Sequence, residues 1–233
     1  SRYWQDQLEA FSDEYRVIAW DAPGCGVSDD PPEGFRLGDY ADTLAGFCQK
    51  LEINHPHVLG ISFGGGLAIS FAHQHPKVPK TLILVSAYAG WAGSLPPEEV
   101  DRRLEKGRLQ VEMDPEEVAE MWLPSLFYAE PNQEVKNREK AIISEFHPNG
   151  SLIMLEAFAD ADLQPKLAEI GVPTLLLYGE KDERSPLNIA KDLHRKIPGS
   201  KLVTLPEVGH VINLEAPEQF DVHVRTFLRN HDA

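Results

Sequence analysis

Apolar residues recur along this chain in two alternating periods. Trp4, Leu8 and Phe11 stand at i, i+4 and i+7, the spacing of one helix face. Tyr15 to Trp20 is short and rich in β-formers, which predicts a strand. Leu37, Tyr40, Ala41, Leu44, Phe47, Cys48 and Leu51 form a second helical stripe. The short apolar run His57 to Ile61 predicts a strand, Phe63 to His75 a helix closed by Pro76, and Thr81 to Val85 a buried strand. Later the alternation resumes, with strands at Thr174–Tyr178 and Lys201–Leu205 and helices at Pro186–Ile197 and Leu214–Arg229. Short, near-continuously apolar strands alternating with helices imply a parallel sheet covered on both faces.

The stretch from about Tyr88 to Asp162 is different. It is rich in Glu, Trp and Met, contains no strand-like run, and is punctuated by Pro96-Pro97, Pro115, Pro131 and His147-Pro148-Asn149-Gly150. It reads as a helical insertion over residues 88–162, dividing a core formed by 1–87 and 163–233. Asn149-Gly150-Ser151 matches a glycosylation sequon and is read as a turn.

The formal charge of −15 disfavours binding to nucleic acid or to an anionic membrane surface. No apolar run approaches the roughly 20 residues of a membrane helix. The two cysteines, Cys25 and Cys48, stand in no metal-binding spacing, and unpaired thiols suit a reducing, cytoplasmic setting. There is no metal cluster and no nucleotide-binding glycine fingerprint, so no cofactor is implied.

Chemistry concentrates where the strand ending at Ile61 turns into the next helix. Gly60-Ile61-Ser62-Phe63-Gly64 is a G-x-S-x-G turn in the strand–turn–helix setting that a nucleophile elbow requires. Such a turn strains the serine backbone, and the small residues at 60 and 64 avoid clashes across it. Gly65 and Gly66 allow the following helix to pack tightly on the sheet. Ser62 then stands at the positive end of that helix, where negative charge is favoured.

A serine hydroxyl needs a base, and a histidine held by a carboxylate supplies one. Of the nine histidines, His210 follows the carboxyl end of the last strand, where open α/β sheets place their sites. His55 and His57 lie at the opposite edge, His73 and His75 close a helix, His147 lies in the insertion, and His194, His223 and His231 belong to helices near the carboxyl end of the chain. Position alone leaves Glu180, Asp182, Glu183 and Glu207 open as the acid. Asp21 also ends a predicted strand, and a structural part in the pocket floor is expected for it.

Three segments resemble the serine-dependent, capped branch of the α/β-hydrolase superfamily: Asp21-Ala22-Pro23-Gly24-Cys25-Gly26-Val27-Ser28, the elbow, and Gly209-His210 with Leu214-Glu215-Ala216-Pro217-Glu218. Gly179-Glu180-Lys181-Asp182 with Ser185-Pro186 is similar to that family's acid loop. The resemblance implies an α/β-hydrolase fold with a mostly parallel sheet, helices on both faces and a helical cap inserted before the acid-bearing strand. It selects Asp182 over the neighbouring acids and completes a set Ser62, Asp182, His210 in the chain order of that fold. It also implies that the Phe63 N–H serves as one oxyanion donor.

Members of the family carry a further strand, ending in a His-Gly motif, before the helix that begins here near Ser1. It would lie between the strands at 15–20 and 57–61 and supply the second oxyanion donor. N-terminal strands are therefore missing from the pattern, and an N-terminal segment preceding Ser1 is expected in the natural protein. The expected activity is cleavage of a small or medium, largely apolar ester, thioester or lactone through an acyl-enzyme. Trp91, Trp122, Phe127, Tyr128, Met154 and Phe158 of the insertion are the expected pocket lining, together with Met121 and Leu126. A carbon–carbon bond hydrolase, a proline aminopeptidase or a cofactor-free perhydrolase could use the same three residues. A receptor derived from a hydrolase is the alternative outside enzymology.

Overall fold

The computed structural model describes residues 1–232. Its centre is a four-stranded parallel sheet in the order β1 (His57–Ile61), β2 (Thr81–Val85), β3 (Thr174–Gly179), β4 (Lys201–Leu205). The register aligns Ile61, Val85, Leu177 and Val203 in one row, so the carboxyl ends of all four strands finish at nearly the same level.

Side-chain alternation explains why the central strands read as solid apolar runs. Leu82 and Leu84 of β2 and Leu176 and Tyr178 of β3 point to one face. There they meet α2 (Leu37–Lys50), α3 (Phe63–Gln74) and α8 (Leu187–Lys196). Ile83, Val85, Leu175 and Leu177 point to the other face, towards α1 (Gln5–Phe11) and α10 (Pro217–Arg229). With helices on both sides, no position in β2 or β3 is left for a polar side chain to reach water. The helix α3 is apolar all round, and every residue from Gly65 to Ala72 is buried, as expected of a helix enclosed by neighbours.

Several sequence expectations need correction. Tyr15 to Trp20 is not a strand: it is irregular and pairs with none of the four strands. Its side chains still divide between the two faces, Tyr15 and Val17 joining the α1/α10 side and Trp20 the α2/α3 side. The burial pattern of a strand is present, but a strand also needs a ladder partner, and none lies beside it among the described residues. For the same reason β1 is only partly buried where β2 and β3 are wholly so. The second correction concerns Asn149-Gly150-Ser151, which lies in the first turn of a helix and is no loop turn. Pro148 begins that helix at N1, where its missing N–H costs nothing.

Residues 97–159 hold four helices and no strand: α4 (Pro97–Gln110), α5 (Pro115–Leu126), α6 (Gln133–Ser144) and α7 (Pro148–Ala159). Asp114 caps α5 by accepting the Glu116 N–H, and Asn132 caps α6 by accepting the Val135 N–H. These helices lie over the carboxyl end of the sheet. Phe158 of α7 packs on Phe63, Arg103 of α4 donates to the Arg184 carbonyl, and Leu126 of α5 meets the loop after β4. The short α9 (Ile212–Glu215) precedes α10, the predicted single helix being interrupted at Ala216 by Pro217. No described helix is long and apolar enough to cross a membrane.

Candidate active site

Ser62 sits at the junction of β1 and α3 with φ +52°, a left-handed conformation rare for a residue with a side chain. The turn is held by the Ser62 N–H donating to the Val85 carbonyl at 2.9 Å, and by Gly65 and Gly66 N–H groups donating back to the Ser62 carbonyl. Gly60 is needed here: a Cβ at that position would lie 2.1 Å from the Gly64 carbonyl oxygen. Gly64 itself faces open space, so the expected clash holds on one side of the elbow only. Gly65 and Gly66 are close-packing positions, where a Cβ would meet Ala87 at 2.4 Å and the Phe158 ring at 2.5 Å. The Phe63 N–H, first in the helix, has no backbone acceptor among the described residues.

Asp182 and His210 are brought together and buried, each 4% exposed. The His210 Nδ1 lies 2.9 and 3.0 Å from the two carboxylate oxygens of Asp182. The carboxylate is itself oriented, since Oδ1 accepts the Arg184 and Ser185 N–H groups at 2.9 and 2.8 Å. Burial pushes the imidazole below the ordinary histidine range. Asp182 opposes that shift, while the cations Arg184 and Arg103 add to it.

The end of β2 links this pair to the elbow. Val85 accepts the Ser62 N–H, and the next residue, Ser86, donates its hydroxyl to the His210 carbonyl at 3.0 Å. Ser86 is fully buried with φ +46°, a second strained serine at a strand terminus. Ser62 makes no hydrogen bond to His210 among the described residues; the two residues share a strand end, not a direct contact. Sequence reasoning passed over Ser86, although its place after a carboxyl strand end is the same signal that marks Ser62.

The other acids considered lie away from His210 or on the surface. Glu180 and Glu183 are exposed, and Glu207 pairs with Lys181 on the surface. Asp21 lies beneath the glycine loop, accepting the Val27 N–H at 3.4 Å. A Cβ on Gly26 would lie within 2.6 Å of that carboxylate. Cys25 is half-buried 3.9 Å from the Met154 sulfur, and burial pushes its thiol up to about 11, away from a reactive thiolate.

The six expected lining residues divide into two groups and an outlier. Phe158, Trp91 and Met154 pack in the cluster that contains Phe63, with Phe158 at 5.2 Å from the Phe63 ring. Trp122 and Phe127 belong to a second cluster with Val211 and Leu214, beyond His210. Tyr128 is 49% exposed and faces Lys181. Of the two further candidates, Leu126 is buried in the second cluster and Met121 is exposed.

Comparison with known proteins agrees with this architecture. Residues 1–217 match the family model for the α/β-hydrolase fold. The chain is similar to the AB hydrolase superfamily protein YisY of Bacillus subtilis, at 30% identity over 91% of this chain and 81% of that one. It is also similar to 3-oxoadipate enol-lactonase 2 of Acinetobacter baylyi, at 27% identity over 97% of this chain and 82% of the other. Among solved structures, a thermophilic esterase from Thermogutta terrifontis superposes with a TM-score of 0.88 at 30% identity, covering 98% of this chain and 85% of that one. The chain belongs to the α/β-hydrolase family, and it is a hydrolase.

Proposed function

We propose that this protein is a serine hydrolase that cleaves a small or medium, largely apolar ester, thioester or lactone through an acyl-enzyme. The observation that carries the reading is the buried Asp182–His210 pair, tied through the end of β2 to a strained serine at a helix N-terminus.

In this reading Ser62 Oγ attacks the substrate carbonyl while its proton passes to Nε2 of His210. The Nδ1–H of the imidazole is directed at Asp182, which fixes the tautomer and stabilises the cation that forms. The tetrahedral oxyanion takes the free Phe63 N–H as a donor. His210 then returns the proton to the leaving oxygen or sulfur as the bond to carbon breaks. Water, deprotonated by the same imidazole, attacks the acyl carbon, and the departing Ser62 oxygen takes the proton back. The helices over residues 88–162 act as a cap. The apolar group around Phe158, Trp91 and Met154 lies on the nucleophile side and supports an apolar acyl or alkyl group in the substrate. The likeness to an esterase and an enol-lactonase supports the same class.

Labelling with a fluorophosphonate, located by peptide mass, tests the nucleophile. Ser62→Ala should lose the label and lower kcat on a p-nitrophenyl ester by about 10⁶-fold, with the fold intact by circular dichroism. Full turnover in that variant would remove Ser62 from the mechanism. A substrate panel of esters, thioesters, lactones, vinylogous diketones and proline amides then assigns the bond that is cleaved.

A further inference from the structure

His210 is held from two sides. Its ring meets Asp182, but its backbone is held by groups outside that pair. The His210 and Val211 N–H groups both donate to the Leu126 carbonyl, at 2.8 and 3.2 Å. That carbonyl ends α5, where helix carbonyls have no partner within the helix. One residue before the histidine, the Gly209 N–H donates to Oε2 of Glu215 at 2.7 Å. The other oxygen, Oε1, accepts the Tyr128 N–H at 3.0 Å and the Ala129 N–H at 2.8 Å. A single carboxylate thus gathers three backbone donors and joins the chain beside the histidine to the chain leaving α5. The two segments approach closely: a Cβ on Gly209 would lie 2.7 Å from the Tyr128 nitrogen and 3.0 Å from the Leu126 oxygen.

The chemistry of the junction selects a carboxylate. Three N–H groups converge on two oxygens, and hydrogen bonds to an ionised acceptor are roughly twice as strong as neutral ones. An amide of the same shape offers one oxygen, and its NH₂ must face at least one N–H donor. The two oxygens serve opposite segments, so removing either acceptor breaks the carboxylate bridge and leaves only the bonds to the Leu126 carbonyl between them.

We propose that Glu215 is a positioning residue: its carboxylate clamps the His210 loop to the end of α5, so that docking of the inserted helices sets the position of the base. The inference rests on the reading of His210 as the general base. A displacement of about 1 Å at a reacting group can cost on the order of a hundredfold in rate, which is the scale at which such a clamp acts.

The test compares Glu215→Gln and Glu215→Ala with the unaltered chain on a p-nitrophenyl ester, well below each melting temperature. The expected result is a fall in kcat of roughly ten- to a hundredfold with KM within about twofold. Labelling of Ser62 by the fluorophosphonate should slow in parallel. The acid limb of kcat/KM should move up towards the ordinary histidine value, because burial is the main cause of the depressed imidazole pKa and a freed loop admits water. The downfield proton resonance expected for the His210 Nδ1–H should be broader in Glu215→Gln than in the parent protein, a readout available at partial activity if the alanine variant does not fold. A folded Glu215→Gln protein with unchanged kcat, acid limb and Nδ1–H signal, and only a lower melting temperature, would make the clamp a structural staple and overturn the inference. If Ser62 of the parent protein resists the label, the proposed serine mechanism itself falls, and this inference with it, whatever the Glu215 variants do.

Discussion

At the scale of single residues, the site depends on groups whose neighbours are fixed before substrate arrives. Asp182 is aimed at His210 by two backbone N–H groups of its own loop. In Asp182→Asn the same cradle persists, but the amide can turn its NH₂ towards Nδ1 and favour the wrong tautomer. We expect kcat to fall by roughly 10⁴ with little change in melting temperature; a loss below tenfold would argue against the role given to Asp182. In the proposed mechanism the depressed pKa of His210 sets the acid limb. With the neutral imidazole as base, activity should be full above the folded pKa and decline as pH falls through it. Because that pKa lies below the ordinary value of about 6.5, the midpoint of kcat/KM against pH should also lie below it. A midpoint above 7 would contradict the burial seen here. The elbow was legible in the sequence because glycine spacing encodes a local turn. The position of Ser86 was legible in the same way, but its partner was not, nor were those of Glu215, since they lie more than 80 residues away or on a loop that only tertiary packing brings near.

At the scale of elements, α6 carries an unusual burden. Its Glu139 is 2% exposed, and its Oε1 has no hydrogen-bond partner among the described residues. Burial pushes this carboxyl up to about 7, with Arg138 opposing the shift and Asp6 adding to it. A folded-state pKa above the unfolded one means that the fold prefers the protonated form. The cost of ionisation begins as pH rises past the unfolded value and is complete above the folded one. Glu139→Gln should therefore stabilise the protein at pH 8 by up to about 3 kcal/mol and change little at pH 4. Thermal melts at both pH values check this, and an equal gain at both would exclude ionisation as the cause. Elements also show where periodicity succeeds and fails. The strands at 57–61, 81–85, 174–179 and 201–205 follow their apolar runs. Tyr15 to Trp20 has the same pattern without a ladder, because hydrophobic period reports burial and says nothing of a hydrogen-bonding neighbour.

At the scale of the whole molecule, 37 acidic against 22 basic residues give a surface that repels itself. Salt screens that repulsion over a Debye length of about 10 Å at 0.1 M, so the melting temperature should rise between 10 and 150 mM sodium chloride, read by calorimetry. A fall would show that the exposed ion pairs outweigh the net charge. The sequence by itself determined the alternation of elements, the parallel sheet, the helical insertion and the serine turn. These follow from side-chain period, proline placement and glycine spacing, which are properties of neighbours along the chain. The choice of Asp182 among nearby acids needed resemblance in the sequence and is explained only by the fold, which buries it against His210 and leaves Glu180 and Glu183 exposed. Tertiary structure alone decided that Ser62 and His210 meet through the end of β2, and that a carboxylate on α9 ties the histidine loop to α5. Strand register and helix docking set those distances, and neither is a property of any local stretch of chain.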